Sequence, residues 1–332
     1  MADIFSILLT ELKDFFGIGA WLEMFTTGDY SRLNTLDGIL GAISPLIPLL
    51  IVLEFISAII QGRLSKKDYK NTMLIYVINR IIGRFISIGL VSFCIGFFQP
   101  FAILKTHITW YWLIYGYLVW ELSHFVYHYF GHKVRLFWCL HSTHHAPETM
   151  NLTVGFAHFF LEGPYADFIR TTICILLGVD PALLFLIMFI DGTWGAFIHT
   201  GENLLKDGRL GPLQHIILTP SHHRVHHARN PLYMDTNFCN FLNIWDRVFK
   251  THQYEEHETP PEYGITRPIK NDSVWDIYFG EFVLLFKDIY HAPGIKNKLL
   301  YMVMPPGWSH TGEHKTAYMI RKQELEKKQS HE

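Results

Sequence analysis

Thirteen of the chain's twenty histidines fall between His124 and His227, and nine of those sit in three tight groups: His128-Tyr-Phe-Gly-His132, His141-Ser-Thr-His144-His145 and His222-His223-Arg-Val-His226-His227. Any fold of this chain has to account for them. Spacings of three and four put side chains on one helix face, with Cβ atoms about 5 to 6 Å apart, so each group can offer two or more nitrogens to one metal ion or to two neighbouring ones. Burying nine imidazoles without a metal would strand many polar nitrogens, which is costly. Histidines standing alone, such as His107, His158, His215 and His291, read instead as ordinary packed residues.

Long apolar stretches surround these groups. Only 17% of residues are charged against 49% hydrophobic, where an average soluble domain carries about 25% charged residues. A helix needs about 20 mainly apolar residues to cross a bilayer. Leu36 to Ile60, interrupted only by Asp37 and Glu54, has that length and is expected to be a first span. The loop Gln61 to Asn71 carries Arg63, Lys66, Lys67 and Lys70, which the positive-inside rule assigns to the cytoplasm. A second span is expected over Leu74 to Leu104, with Arg80 and Arg84 snorkelling to the same interface and an outer turn at Pro100. A third, Ile108 to Phe130, brings Glu121, His124, His128 and His132 back towards the cytoplasmic face. Thr171 to Ile198 holds two short apolar arms broken at Gly178-Val-Asp-Pro181, and is expected to be a hairpin that enters and leaves on that side. Charge and hydropathy alone thus place every dense histidine group on one side of a membrane. Ile4 to Phe25 lacks a basic leader region and predicts an interfacial helix rather than a cleavable signal peptide. Ile277 to Met304 predicts one or two amphipathic helices at the membrane surface, and Lys315 to Glu332 a charged tail, either a solvated helix or disordered.

The formal charge of −2 offers no field to hold a nucleic acid. Cys94, Cys139, Cys174 and Cys239 are too scattered for a disulfide framework or a thiolate metal site. Imidazole suits zinc, copper, iron and nickel, so spacing leaves the metal open. The H-E-x-x-H of zinc metalloproteases is absent, and a haem would use one or two of these histidines and leave the rest unexplained. Eight or more nitrogen donors fit two ions, an arrangement suited to activating O2.

From Trp120 to Pro268 the chain resembles the fatty acid hydroxylase superfamily, also called the sterol desaturase family, of membrane di-iron oxygenases. The family's histidine boxes match His128/His132, His141/His144/His145, and His222 or His223 with His226/His227. Asn151-Leu-Thr, Ile198-His199-Thr200, Leu210-Gly-Pro-Leu213, Thr219-Pro-Ser and Asn243-Ile-Trp-Asp246 resemble the alkylglycerol monooxygenase-like branch. Lys133 stands where that branch carries glutamate, Tyr129 where it carries arginine, and Cys239 and Asn240 where glycines are usual, so its pterin reductant is not carried over. The resemblance implies that the isolated His199 joins the metal set. It also implies two iron ions (Fe2+/Fe3+), O2, a lipid substrate and an external electron donor, hence a separate redox partner.

Several other polar residues are candidates for supporting or catalytic roles. Glu121, two helical turns before His128, is placed to accept an N–H from a ligand imidazole. Asn151 can orient water or a ligand, Asp191 resembles Glu121 in kind, and Asp246 does the same or caps a turn. His124 shares a helix face with His128 but stays outside the core set, and Arg224 and Arg229 are available to an anionic headgroup or a redox partner. The expected architecture is an all-α, multi-pass membrane bundle with a cytoplasmic cap, divided into residues 1–110, 111–268 and 269–332. The expected activity is hydroxylation of an acyl, alkyl-ether or sterol C–H bond, in a bacterial inner membrane or endoplasmic reticulum. Desaturation at the same centre is an alternative, and so is metal binding without turnover. A metal transporter, however, would set its ligands mid-membrane.

Overall fold

The computed structural model describes residues 18–43, 45–270 and 273–331. The chain forms two units, residues 1–64 and 65–332. The first contains α1 (Ile18–Thr27), α2 (Leu36–Ile43) and α3 (Leu46–Ile60). Of the expected interfacial helix, residues 4–17 lie outside the described residues, and α1 contains the rest. The described residues of the first apolar stretch fall in α2 and α3, with Pro45 at the start of α3. Gly41–Ile60, with a mean hydropathy of 2.4, is long and apolar enough to cross a membrane. α3 exposes Leu49, Leu53, Ile56 and Ile60.

The second unit opens with α4 (Lys66–Ile81) and α5 (Gly83–Phe98), where hydropathy suggested one span. Ser65 caps α4 by accepting the Asp68 N–H. The break is set by packing that hydropathy does not register: a Cβ on Gly83 would stand 2.9 Å from the Phe160 carbonyl oxygen. α6 (Trp110–Lys133) is continuous, and after extended Val134 the chain enters α7 (Arg135–His145). The expected hairpin is formed by α8 (Glu162–Leu176) and α9 (Pro181–Ile198). Gly178 turns it at φ +85°, where a Cβ would lie 2.3 Å from the Leu104 carbonyl oxygen. Asp180 then caps α9 by accepting from Ala182 and Leu183, with Pro181 in the first turn. Pro181–Ile198 is likewise long and apolar enough to cross a membrane. Trp120, Cys174, Ile175, Leu183 and Ile187 make the core between α6, α8 and α9.

α10 (Pro220–His227) and α11 (Ile244–Val248) are short helices in a loop-rich stretch, followed by α12 (Val274–His291) and α13 (Gly294–Val303). These last two bury Leu285, Ala292 and Tyr301 against Cys139 of α7, so one face of each is covered by protein. α14 (Ala317–His331) is not a free tail: Arg321 donates to the Leu232 carbonyl at 2.9 Å and to Gln253 Oε1 at 3.0 Å, and Lys328 pairs with Glu256. Among the described residues β-structure is limited to isolated bridges, Ile217 with Leu242 and Ala228 with Tyr263, and the fold is all-α.

Candidate metal centre

Helix ends supply the donors. α6 carries His128 and His132 one turn apart near its C-terminus, α7 ends on His141, His144 and His145, and His199 is the residue that ends α9. Thr219 and Pro220 start α10, which is just long enough to present His223, His226 and His227. These ends converge into two sets, His128/His132/His141/His145/His226 and His144/His199/His223/His227. Within each set the ligand nitrogens lie within 4.8 Å of one another, and all nine residues are buried.

Hydrogen bonding fixes the tautomers. Nδ1 of His128, His226 and His199 lies 2.8, 2.8 and 2.6 Å from the carbonyl oxygens of Phe238, Thr236 and Gly195. A carbonyl only accepts, so each Nδ1 carries the proton and each Nε2 a lone pair. His141 is held the same way by Glu162 Oε1 at 2.5 Å. Yet His141 Nε2 lies 3.1 Å from His128 Nε2 and 3.0 Å from His145 Nε2. In the second set His199 Nε2 stands 3.2 Å from that of His144 and 2.9 Å from that of His223, which is 3.1 Å from that of His227. His128 and His141 both carry the proton on Nδ1, so their two Nε2 lone pairs face each other at 3.1 Å and repel unless a cation lies between them. Two nitrogens about 2.1 Å from one ion and at right angles lie about 3 Å apart, so these contacts have the dimensions of coordination-sphere edges. His132 Nε2 and His226 Nε2 are buried with no hydrogen-bond partner among the described residues, as metal-ligating nitrogens would be. The donor sets therefore fit two metal ions.

Burial keeps the rings in the neutral form that ligates, holding His132 down to about 4 and His199 to about 3 against an ordinary 6.5. Sequence reasoning passed over two carboxylates that support them. Glu162, 1% exposed, takes the His141 N–H on Oε1, with the Tyr127 hydroxyl at 3.1 Å, and the His158 N–H on Oε2 at 2.9 Å. His158 Nε2 also faces an acceptor, the Gly155 carbonyl at 3.2 Å, so both ring nitrogens carry protons. Burial opposes that charge, but the Glu162 carboxylate outweighs it and raises His158 above its usual value. The same imidazoles overcome burial at Glu162 and hold it well below the usual carboxylate range. The His158 ring stacks on His144 with centroids 4.2 Å apart. Asp235, in left-handed backbone at φ +58°, sets Oδ1 3.4 Å from His132 Nδ1 and pairs with Lys133 through Oδ2. Neither acid stands in a ligand-like spacing, and Glu162 reads in sequence only as a first-turn acid of α8.

Other candidates lie elsewhere. Of the two options in the third box, His223 joins a set and His222 does not: His222 Nδ1 accepts the Thr219 N–H at 3.2 Å, closing the start of α10. His124 packs edge-on against His128, centroids 5.5 Å apart, outside both sets. Glu121 accepts from the backbone N–H groups of Asn240, Phe241 and Leu242 at 3.2, 2.7 and 3.0 Å. Asp246 accepts from those of Phe238 and Cys239 at 2.7 and 2.9 Å. Both acids brace the strand-like segment whose Phe238 carbonyl orients His128, and they reach no ring themselves. Asn151 caps the turn at 152–156 through the Thr153 N–H, 3.0 Å away. Asp191 lines a cavity beside the second set. Arg224 is fully buried and donates to the carbonyls of Thr200, Leu205 and Lys206, so it is not available to a headgroup or partner.

The sequence profile of the fatty acid hydroxylase family matches residues 112–251, which contain all nine converging histidines. The chain is similar to alkylglycerol monooxygenases, 33% identical over 201 residues to that of Danio rerio and 30% over 200 to that of Homo sapiens. These alignments cover 60% of this chain and 43% and 42% of the relatives. It is also 30% identical over 158 residues to an ornithine lipid hydroxylase of Rhizobium tropici, covering 46% of this chain and 45% of that one. The chain thus spans less than half the length of these curated relatives. No solved structure matches it. The profile match thus falls on the residues that form the two imidazole sets, and in residues 112–251 the chain is similar to the fatty acid hydroxylase family, with alkylglycerol monooxygenases among its relatives.

Proposed function

We propose that this protein is a membrane-embedded lipid hydroxylase in which each imidazole set holds one iron, with O2 as oxidant and electrons from a separate donor. The observation that carries this reading is the convergence of nine buried ring nitrogens into two sets with Nε2 atoms about 3 Å apart, the facing lone pairs of His128 and His141 among them. The names of the relatives, an alkylglycerol monooxygenase and an ornithine lipid hydroxylase, support a lipid substrate. The two long apolar stretches, and the exposed Phe85, Ile88, Phe93 and Phe97 of α5, support a membrane location. The basic loop Gln61 to Asn71 supports a cytoplasmic active site.

Bound iron supplies O2 activation, with one oxygen atom entering a C–H bond and the other leaving as water at the cost of two electrons and two protons. The chain supplies ligand geometry. Carbonyls of Phe238, Thr236 and Gly195 and the Glu162 carboxylate pin protons on Nδ1, so that Nε2 of His128, His226, His199 and His141 faces the ions. The first set would hold one ion with five donors, and His144, His199, His223 and His227 would hold the other with four.

Elemental analysis of protein purified anaerobically in detergent tests the reading. We expect about two irons per chain, with loss of iron in both His145→Ala and His227→Ala, and a hydroxylated product when lipid extracts are incubated with protein, O2 and a reductant. Well-folded protein that neither retains nor accepts iron, or iron-loaded protein that oxidises no lipid, overturns it.

A further inference from the structure

Two cavities lined by described residues reach the histidine sets. One, of about 320 Å3, is lined by histidines of both sets together with Glu162, Asp167, Arg170, Asp191 and Asn240. His144 Nδ1, His223 Nδ1 and Asp191 Oδ1 are buried there without a protein partner. Those three atoms call for water or another polar partner on that side. The other, of about 170 Å3, touches His132, His145 and His226 of the five-member set and His227 of the four-member set, so it opens on both. Trp138, Met234, Ile265 and Ile320 give it apolar walls, Arg229 and Lys315 are its cations, and its one carboxylate among the lining residues, Asp235, is paired with Lys133.

Part of that wall lies beyond the family's residues 112–251. The segment from Pro305 to Ile320 is closed on itself by the Lys315 N–H donating to the Gly307 carbonyl at 2.8 Å. Gly307 makes the approach possible: its φ is +83°, and a Cβ there would stand 2.1 Å from the Lys315 carbonyl oxygen. Arg321 then ties α14 to Leu232 and Gln253. The cations stay available, since Arg229 is half exposed with only a 3.8 Å contact from its Nε to Glu262, and Lys315 is exposed.

We propose that this smaller cavity receives the chain of a single-chain anionic lipid, with Arg229 and Lys315 binding its carboxylate or phosphate and Trp138 and Ile320 flanking the alkyl portion beside both histidine sets. The proposal rests on the lipid hydroxylase reading and deepens it. Sites for drug-sized ligands run to about 300–1,000 Å3, so 170 Å3 fits part of a narrow flexible chain and not fused rings. A chain makes no directional contacts, and a charge held at a fixed point sets which carbon reaches the ions. The C-terminal segment is then a specificity wall outside the residues that match the family profile.

Quenching of tryptophan fluorescence by dibromostearic acid, set beside dibromostearyl alcohol, tests this on the full chain in detergent without turnover. The acid is expected to bind roughly tenfold tighter than the alcohol, and Trp138→Phe to remove most of the quench. Arg229→Glu with Lys315→Glu should erase the preference, and Ala317→Phe, which fills the cavity, should weaken both probes. Palmitate displacing the acid probe better than hexadecyl phosphate identifies a carboxylate headgroup, the reverse order identifies a phosphate, and displacement by neither overturns the proposal. So does a quench unchanged in Trp138→Phe, or a preference untouched by charge reversal, in variants whose metal content and melting match the parent. Probe binding in a protein that oxidises no lipid sinks the hydroxylase reading alone, whereas an Ala317→Phe protein that oxidises lipid at the parent rate sinks the cavity alone.

Discussion

Glu162 ties together His141, His158 and Tyr127, side chains that no spacing in the sequence connects. Glu162→Gln keeps the shape but replaces one accepting oxygen with a donor that faces an imidazole N–H. Loss of such a ligand-orienting partner costs roughly 10- to 100-fold in metal affinity, which iron retention during chelator titration measures; unchanged retention removes the role. Arg224 makes the complementary case. Its buried guanidinium satisfies the carbonyls of Thr200, Leu205 and Lys206, of which Thr200 is buried, and lysine cannot reproduce the fork. Each stranded group costs about 1–3 kcal/mol, so Arg224→Lys should lose roughly 2–3 kcal/mol in denaturant unfolding, and a change within error contradicts the account. The ligand histidines were legible because spacings of three and four are local. Their carboxylate partners were not, because α8 and the 235 loop bring them in from elsewhere.

At the scale of elements, capping and hydropathy carried much of the information. The Gly178-Val-Asp-Pro181 turn gave the hairpin, and Thr219-Pro220 marks the start of α10. The split between α4 and α5 was hidden, because what demands glycine at 83 is the backbone of Phe160, far along the chain. A helix was one of the two expectations for the C-terminal stretch, but its docking was hidden for a similar reason: its charges looked solvated, whereas Arg321 and Lys328 have partners at Leu232, Gln253 and Glu256. Gly307→Ala would force a Cβ against a backbone carbonyl in left-handed backbone, at roughly 1–3 kcal/mol. We expect trypsin to cut at Arg321 and Lys322 sooner in that variant than in the parent; equal digestion rates would show that α14 does not depend on this turn.

For the whole molecule, the buried imidazoles couple folding to protons. His132 and His199 titrate near 6.5 when unfolded but at about 4 and about 3 when folded. Between those values the unfolded chain binds more protons, so stability rises with pH there. Their contribution is full above about pH 6.5 and lost as pH falls towards 4. His158, raised by Glu162, works in the opposite sense, its contribution being present below 6.5 and lost as pH rises through its folded value. The melting temperature of chelated protein should therefore fall steadily from pH 7.5 to 4.5, and a flat or rising profile would contradict burial of neutral rings. The sequence alone determined that the chain is helical and apolar, and that imidazoles would converge in number, since periodicity, caps and spacing act within one turn or one helix. It also implied that neighbours on a helix diverge by about 100°, so that His144 and His145, or His226 and His227, would face different ways. Only the tertiary structure decided which set each joined, why His223 and not His222 entered one, and which acids hold the rings. Those outcomes depend on how the ends of α6, α7, α9 and α10 meet in space, and no local pattern along the chain encodes that meeting.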